Sequence, residues 1–292
     1  MESRLEERKS ARPLEELKSR AADREPVRSF GKALASSPFS VIAEFKKKSP
    51  SRGAMNADNL DNALAVYKST DWISAVSVLT DVDYFGGSVD DLEMAGKRTG
   101  KPILRKDFIN SEYQVWESRA FGADAILLMA GLFIESPSQL SDLHRLARSI
   151  GLDVLVELGM VETSLEDLIS IVPPSAEILG INSRQFKNRY RRSKILSSFI
   201  GKDLTINKKF YAKYRHLITN GRIAVAESGV STAQDLSEIE DLKYNAALIG
   251  TAFLSNDKGL ESVVQEFGTV FQPRTMSENI QNIGDFRPAD YA

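Results

Sequence analysis

Residues 223–250 read IAVAESGVSTAQDLSEIEDLKYNAALIG, and the order of residue types in this stretch decides the fold. An apolar, β-branched run from Ile223 ends in the polar pair Glu227 and Ser228. Gly229 turns the chain, residues 231–240 repeat at helical spacing, and a second apolar run, Ala246 to Gly250, follows. Ser231 stands where a hydroxyl can accept from the first free N–H groups of that helix. Two strands joined through a helix pair in parallel, and the crossover between them is right-handed.

Outward from this unit the pattern repeats. Strands are predicted at Val41 to Phe45, Ile73 to Leu79, Ile103 to Lys106, Ala123 to Met129, Asp153 to Leu158, Ile178 to Asn182, Ile223 to Ser228 and Ala246 to Gly250. Helices are predicted after each, at 58–69, 89–98, 111–121, 136–150, 162–172, 207–218, 231–240 and 259–267. Ser136 and Pro137 mark one helix start, and Leu165, Leu168, Ile169 and Val172 share one face of another. Strict alternation over this length fits a closed (β/α)8 TIM barrel. An open, doubly wound sheet is the runner-up. Its glycine-rich turn after the first strand is replaced here by Lys-Lys-Lys-Ser-Pro-Ser-Arg-Gly, residues 46–53.

The flanks differ from the repeat. Residues 1–40 read as an N-terminal helical extension of one or two amphipathic helices, with Leu5, Leu14 and Leu17 as docking points. Residues 41–267 form the barrel, and 268–292, weakly periodic and carrying Pro273 and Pro288, form a C-terminal tail. Loop 183–206, rich in Arg and Lys, is a functional lid or an insertion.

Composition removes several function classes. Among 292 residues, 38 Lys and Arg against 40 Asp and Glu leave a net charge of −2, which gives no field for holding a nucleic acid. The absence of cysteine removes disulfides, thiolate nucleophiles and Cys-based metal sites, and it fits a cytoplasmic protein. The first twenty residues lack the apolar core of a signal peptide, and no apolar stretch approaches a membrane span, so no membrane association is expected. His144 and His216 fall inside predicted helices as packing or surface residues. With no His–carboxylate cluster at ligand spacing, no bound metal is expected.

In a barrel of this type chemistry sits where strands end, so charged residues there need a reason. Glu44 and Lys46 end the first strand on one face, where carboxylate and ammonium can pair. The competing reading is a solvated Lys46–Lys48 run with Glu44 as a surface partner. Lys106 and Asp107 end the third strand, and Lys106 could be an ordinary exposed lysine beside Arg105. Glu157 ends the apolar fifth strand, where an inward carboxylate must have a partner or a task. Asn182 ends the sixth strand, and Glu227 with Ser228 the seventh. Five strands thus deliver an acid, base or amide to one rim. Ser228 with Gly229, and Gly250 with Thr251, follow strands seven and eight, the recurrent phosphate cradle of such barrels, where glycine admits backbone donors to an anion and a helix start adds a favourable dipole.

These residues carry a family resemblance extending from about Leu5 to Phe267. The block Ile42-Ala43-Glu44-Phe45-Lys46-Lys47-Lys48-Ser49-Pro50-Ser51 resembles the first-strand signature of indole-3-glycerol-phosphate synthases. Ser77-Val78-Leu79-Thr80-Asp81 with Tyr84-Phe85-Gly86-Gly87-Ser88, and Leu104-Arg105-Lys106-Asp107-Phe108-Ile109, resemble the second and third. Leu155-Val156-Glu157, Gly180-Ile181-Asn182-Ser183-Arg184 and Ala226-Glu227-Ser228-Gly229 continue in order.

The resemblance implies conversion of 1-(2-carboxyphenylamino)-1-deoxyribulose 5-phosphate to indole-3-glycerol phosphate, with release of carbon dioxide and water and without a cofactor. By similarity Lys106 and Lys46 fill the acid roles, Glu157 is the leading base, and Glu44 orients Lys46 or removes the last proton. Asn182 and Glu227 hold sugar hydroxyls and the ammonium groups. Ser51 and Arg184 hold the anthranilate carboxylate, and Ser49 is a further substrate contact. Ser228, Gly229, Gly250 and Thr251 hold the phosphate, and Phe85, Phe108 and Leu128 wall the aromatic ring. The departures are Leu158-Gly159-Met160 after Glu157, Thr251 in place of a common serine, and a longer 187–203 segment.

A non-catalytic paralogue binding phosphorylated metabolites on the same barrel is the alternative, although a sensor needs only the cradle and not Lys106 together with Glu157. The expected partner is a small phosphorylated substrate. Oligomeric state, a monomer included, and association with other enzymes of tryptophan synthesis are left open.

Overall fold

The computed structural model describes residues 2–49, 53–159, 164–187, 198–202, 208, 211, 213, 214, 216 and 221–272. Eight parallel strands close into a barrel: β1 (Ser40–Phe45), β2 (Ile73–Leu79), β3 (Ile103–Lys106), β4 (Ala125–Met129), β5 (Asp153–Gly159), β6 (Ile178–Asn182), β7 (Ile223–Glu227) and β8 (Ala246–Ile249). Each pairs with its chain neighbours, and β8 closes on β1 through Ser40–Ala246 to Ala43–Ile249. The alternation seen in the sequence produces this order, because each strand returns to its neighbour through an outer helix.

Period two then sorts the side chains. Ile42, Ala75, Leu104, Leu127, Leu155, Ile178, Val225 and Leu248 face inward as an apolar core. Val41, Ala43, Val76, Val78, Leu128, Val154, Val156 and Ala226 face the helices in a second, larger core. One step up the same inward faces, Ile42, Leu104, Leu155 and Val225 give way to Glu44, Lys106, Glu157 and Glu227, which fixes where a site can form.

The extension contains three helices, where the sequence indicated one or two: α1 (Glu2–Ala11), α2 (Leu14–Ala22) and α3 (Phe30–Ala35). Leu17 is buried, and Leu5 and Leu14 pack beside it on the outer core. The six residues of α3 are too few to show a period, so the sequence hid this element. Its Phe30 and Leu34 are fully buried and belong to the barrel's inner core, stopping the end where the strands begin. Two acids hold it there: Asp153 accepts from Gly31 N at 2.9 Å, and Asp124 accepts from Arg28 N at 2.8 Å.

The outer helices α4 (Ala57–Ser69), α5 (Val82–Phe85), α6 (Asp90–Thr99), α7 (Glu112–Ala120), α8 (Pro137–Ser149) and α9 (Leu165–Ser170) follow in order. Later helices span Ala233–Asp241, Thr251–Leu254 and Leu260–Gly268. Of the predicted helix 207–218, the described residues 208, 211, 213, 214 and 216 are helical.

Two helix starts differ from expectation. Ser136 makes no side-chain cap, and Pro137 alone opens α8. Thr232, not Ser231, caps the next, because Asp235 returns the bond in a reciprocal capping box.

The beginning of the predicted tail is packed. Residues Thr269–Phe271 form a 3-10 turn, and the Phe271 ring stacks on Trp72 with centroids 4.9 Å apart. Residues 273–292 lie outside the described residues. Among the described residues no helix is long and apolar enough to cross a membrane.

Candidate active site

Strand register builds the site. Glu157 on β5 lies level with Gly180 on β6, and Glu227 on β7 lies level with Asn182. With Lys106 at the end of β3 and Glu44 near the end of β1, all belong to the top inward layer of the barrel. They line one cavity, together with Lys46, Phe85, Phe108, Ser228, Gly229, Gly250 and Thr251.

The charged groups form two units. Lys106 Nζ lies 2.8 Å from Glu227 Oε2 and 3.0 Å from Glu157 Oε2. Lys46 Nζ donates to Glu44 Oε1 and, at 3.1 Å, to Thr251 Oγ1. Lys46 is 3% exposed and Glu44 5%, which removes the reading of a solvated lysine run for this pair. Lys47 instead reaches outward to Asp91, 2.9 Å away.

Small residues make room for these carboxylates. A β-carbon on Gly180 would stand 2.0 Å from Glu227 Oε1, and one on Gly250 would stand 2.1 Å from Glu44 Oε1. Both glycines leave the space that the neighbouring acid occupies.

Burial and mutual charge set the proton affinities. Burial lowers the affinity of the Lys106 ammonium, but Glu157, Glu227 and Glu44 together more than reverse this, so its pKa lies above the ordinary lysine value. Burial also raises both carboxyls on either side. For Glu157 the opposing pull of Lys106, with hydrogen bonds from Glu227 and Asn182, leaves it below the ordinary value. For Glu227 burial prevails, and repulsion from Glu157 adds to it, so the carboxyl is pushed up to about 8. An ionised Glu157 beside a protonated Glu227 is the state two close acids sharing one lysine should adopt.

The segment after β7 carries backbone strain. Ser228 has φ +64° and Gly229 φ +89°, two successive residues in the left-handed region. A serine there is unusual, and consecutive turns of this kind build concave sets of backbone donors suited to anions.

Several predicted contacts stand elsewhere. Leu128 does not wall the cavity. The period of β4 turns it outward to the helices, and its neighbours Leu127 and Met129 face in and line the site. Ser49 is buried in a two-residue strand paired with Gly53 and Ala54, away from the cavity lining. Ser51 and the Arg184 side chain lie outside the described residues. The Arg184 backbone begins a strand, Arg184–Lys187, that pairs antiparallel with Ser198–Lys202, so the sixth loop contains a two-stranded sheet. Among the described residues no group of three or more His, Cys, Asp or Glu is placed to hold a metal ion.

Sequence reasoning placed Asp107 at the strand end but not among the site residues, although it lines the cavity. Burial pushes its carboxyl up, and Arg105, Thr80 and the Phe108 N–H more than reverse this, leaving it below the ordinary range. Leu79, Val230 and Leu248 complete the apolar part of the lining.

A family model described as indole-3-glycerol phosphate synthase matches residues 1–266. The chain belongs to the indole-3-glycerol phosphate synthase family. An indole-3-glycerol phosphate synthase of Clostridium kluyveri is 33% identical over 262 residues, covering 89% of this chain and 91% of the relative. One from Paenarthrobacter aurescens is 34% identical over 266 residues, covering 89% and 90%. One from Leptospira interrogans is 39% identical over 222 residues, covering 76% and 79%. Among solved structures, a 3-hexulose-6-phosphate synthase superposes with a TM-score of 0.54 at 12% identity, covering 79% of this chain and 99% of that one, a likeness of fold alone. In indole-3-glycerol phosphate synthase terms, then, the cavity at the C-terminal ends of the strands is the place to look for chemistry.

Proposed function

We propose that this chain is an indole-3-glycerol-phosphate synthase, a carboxy-lyase that closes the indole ring of 1-(2-carboxyphenylamino)-1-deoxyribulose 5-phosphate without a cofactor. The observation that carries the reading is Lys106 held between Glu157 and Glu227 across one cavity from the Lys46–Glu44 pair. Cytoplasmic location and a small phosphorylated substrate belong to the same proposal.

The reaction makes three demands. The ring carbon bearing the carboxylate attacks the ribulose carbonyl, whose oxygen gathers negative charge and takes a proton. The new C–C bond costs the ring its aromaticity, and loss of carbon dioxide returns the electron pair to it. The hydroxyl then leaves as water with a second donated proton, and removal of a ring proton gives the indole.

Lys106 is a cation fixed in a mostly buried site, so it can stabilise the developing oxyanion and supply its proton. Lys46 is the second ammonium on the cavity, suited to the departing hydroxyl. Glu157, kept ionised, is the base for the final proton, and Glu44 holds Lys46 in place. Protonated Glu227 completes the cage around Lys106 and, with Asn182, offers polar atoms to the sugar hydroxyls. Ser228, Gly229, Gly250 and Thr251 receive the phosphate, with Lys46 adding charge. Phe85 and Phe108 flank the aromatic ring, with Leu127 and Met129 taking the place first given to Leu128. Ser51 and Arg184 remain proposed contacts to the substrate, Arg184 through the fit of its planar fork to a carboxylate.

The test is direct. Purified protein is mixed with the carboxyphenylamino-deoxyribulose phosphate and followed by indole fluorescence. Turnover with carbon dioxide release is the expected result. Tight binding without product would instead mark a phosphometabolite-binding paralogue.

A further inference from the structure

Among the described residues the largest fully buried side chain is Arg105, next to Lys106 on β3. Strand alternation points the two opposite ways. Lys106 faces the cavity, whereas Arg105 enters the layer between β3 and α7, where apolar packing is the rule for this architecture.

Each nitrogen of its guanidinium has a partner. Nε donates to Thr80 Oγ1 at 3.0 Å, and Nη2 reaches Asp107 Oδ2 at 2.8 Å. Nη1 lies 2.9 Å from Glu117 Oε2 and donates to Ser118 Oγ and Gln114 O on α7. Asp107 in turn accepts from Thr80 Oγ1 at 2.6 Å and from Phe108 N at 2.8 Å, while Thr80 N donates to Lys106 O. The residues immediately before and after Lys106 are therefore both tied to the same guanidinium, and the backbone of Lys106 is tied through Thr80.

Such a network is a poor source of stability. Replacing buried ion pairs with apolar residues of similar volume is often neutral or stabilising, so a triad kept in a barrel wall calls for another reason. Here the network ends on the carbonyl of Lys106, on Asp107, which lines the cavity, and on the N–H of Phe108, one of its walls.

We propose that Arg105 is a positioning residue for Lys106, setting through Asp107, Thr80 and Glu117 the path of residues 105–108 and hence where the ammonium meets Glu157 and Glu227. The proposal rests on the functional reading above. Arg105 itself touches neither the cavity nor any group proposed to react.

Two variants test it. Arg105→Lys keeps the charge but loses the fork that reaches five partners at once. The double variant Arg105→Met with Glu117→Met removes both members of the Arg105–Glu117 pair together, so that neither is left buried and unpaired by loss of the other. Each is compared with the unaltered chain for kcat, KM, the pH dependence of kcat and thermal unfolding. Because a misplacement of about 1 Å can lower rates on the order of a hundredfold, kcat should fall by about ten- to a hundredfold with KM within about twofold. The limb of the pH profile that reports Lys106 and its carboxylates should shift, and the folded state should persist.

Folded variants with unaltered kcat and pH profile overturn the proposal. So does a loss of kcat that only tracks the folded fraction, or failure of both variants to fold, since each assigns the network to architecture alone. If the unaltered chain itself makes no indole product, it is the functional reading that falls.

Discussion

The carboxylate of Glu227 occupies the space a side chain on Gly180 would need: a β-carbon there would sit 2.0 Å from its Oε1 and 3.3 Å from Leu155 Cδ1. Neighbouring strands have exchanged volume, one giving up its side chain so that the other can seat an acid beside Lys106.

Gly180→Ala should therefore act on the acid rather than on the backbone. Overpacking of this kind costs about 1–3 kcal/mol. Glu227 must rotate away and lose its 2.8 Å contact to Lys106. The expected outcome is a folded protein with a lower melting temperature and kcat reduced at least about tenfold, a change a Lys106 contact worth about 1.4 kcal/mol would produce. Thermal unfolding and steady-state fluorescence assays check both parts.

Lys106→Ala should lower kcat by about a hundredfold or more, the usual scale for losing a proton donor, with a much smaller change in KM. Equal losses in affinity and turnover would assign Lys106 to binding. Removing it also leaves Glu157 without its cation, so the Glu157 carboxyl should rise from its depressed value. A shift of the acid limb of the pH–rate profile would show this.

Glu227 predicts a response to alkali. Its carboxyl binds a proton more tightly in the folded chain, at about 8, than at its usual 4.5 when unfolded. The stability this proton contributes is complete below the unfolded value and is lost as pH rises through about 8. Ionisation also adds a second negative charge beside Lys106 and makes it a weaker acid. As pH rises from about 4.5 to about 8 the melting temperature should decline, kcat/KM should fall as pH passes about 8, and Glu227→Gln should flatten the decline in melting temperature. A wild-type melting curve that does not move across this window would contradict the assignment.

At the opposite end of the barrel, Phe30→Ala should destabilise by about 3–5 kcal/mol, the range for emptying a fully buried aromatic position. Because Phe30 lies against the apolar floor and not on the cavity, kcat per folded molecule should stay near the wild-type value. Denaturant unfolding combined with activity at low temperature separates the two effects.

Much of this layout was legible before any coordinates. The strands were visible because apolar β-branched runs ending in polar residues recur between helical stretches, and Glu44, Lys106, Glu157, Asn182 and Glu227 stood out as polar breaks in those runs. What stayed hidden has local causes. Residues 125–129 read AILLM, apolar on both faces, so no alternation distinguished Leu128 from the inward Leu127 and Met129. The fourth strand begins at Ala125 rather than Ala123, and just before it the Asp124 carboxylate accepts from the N–H groups of Ile103 and Arg28. Adjacent hydroxyls at Ser231 and Thr232 look alike until Asp235 is seen to answer only one of them as a cap. Nothing in the sequence singled out Arg105, since a sequence does not say that Asp107, Thr80 and Glu117 will surround it.

The short helix that begins at Phe30 carries a practical corollary. Since the stopper seals one mouth and the groups proposed to react gather at the other, improvements to heat tolerance can be sought around Phe30, Asp124 and Asp153 with little risk to turnover. A shortened gene beginning at Ser40 would instead yield an open apolar well, prone to clump with its own copies.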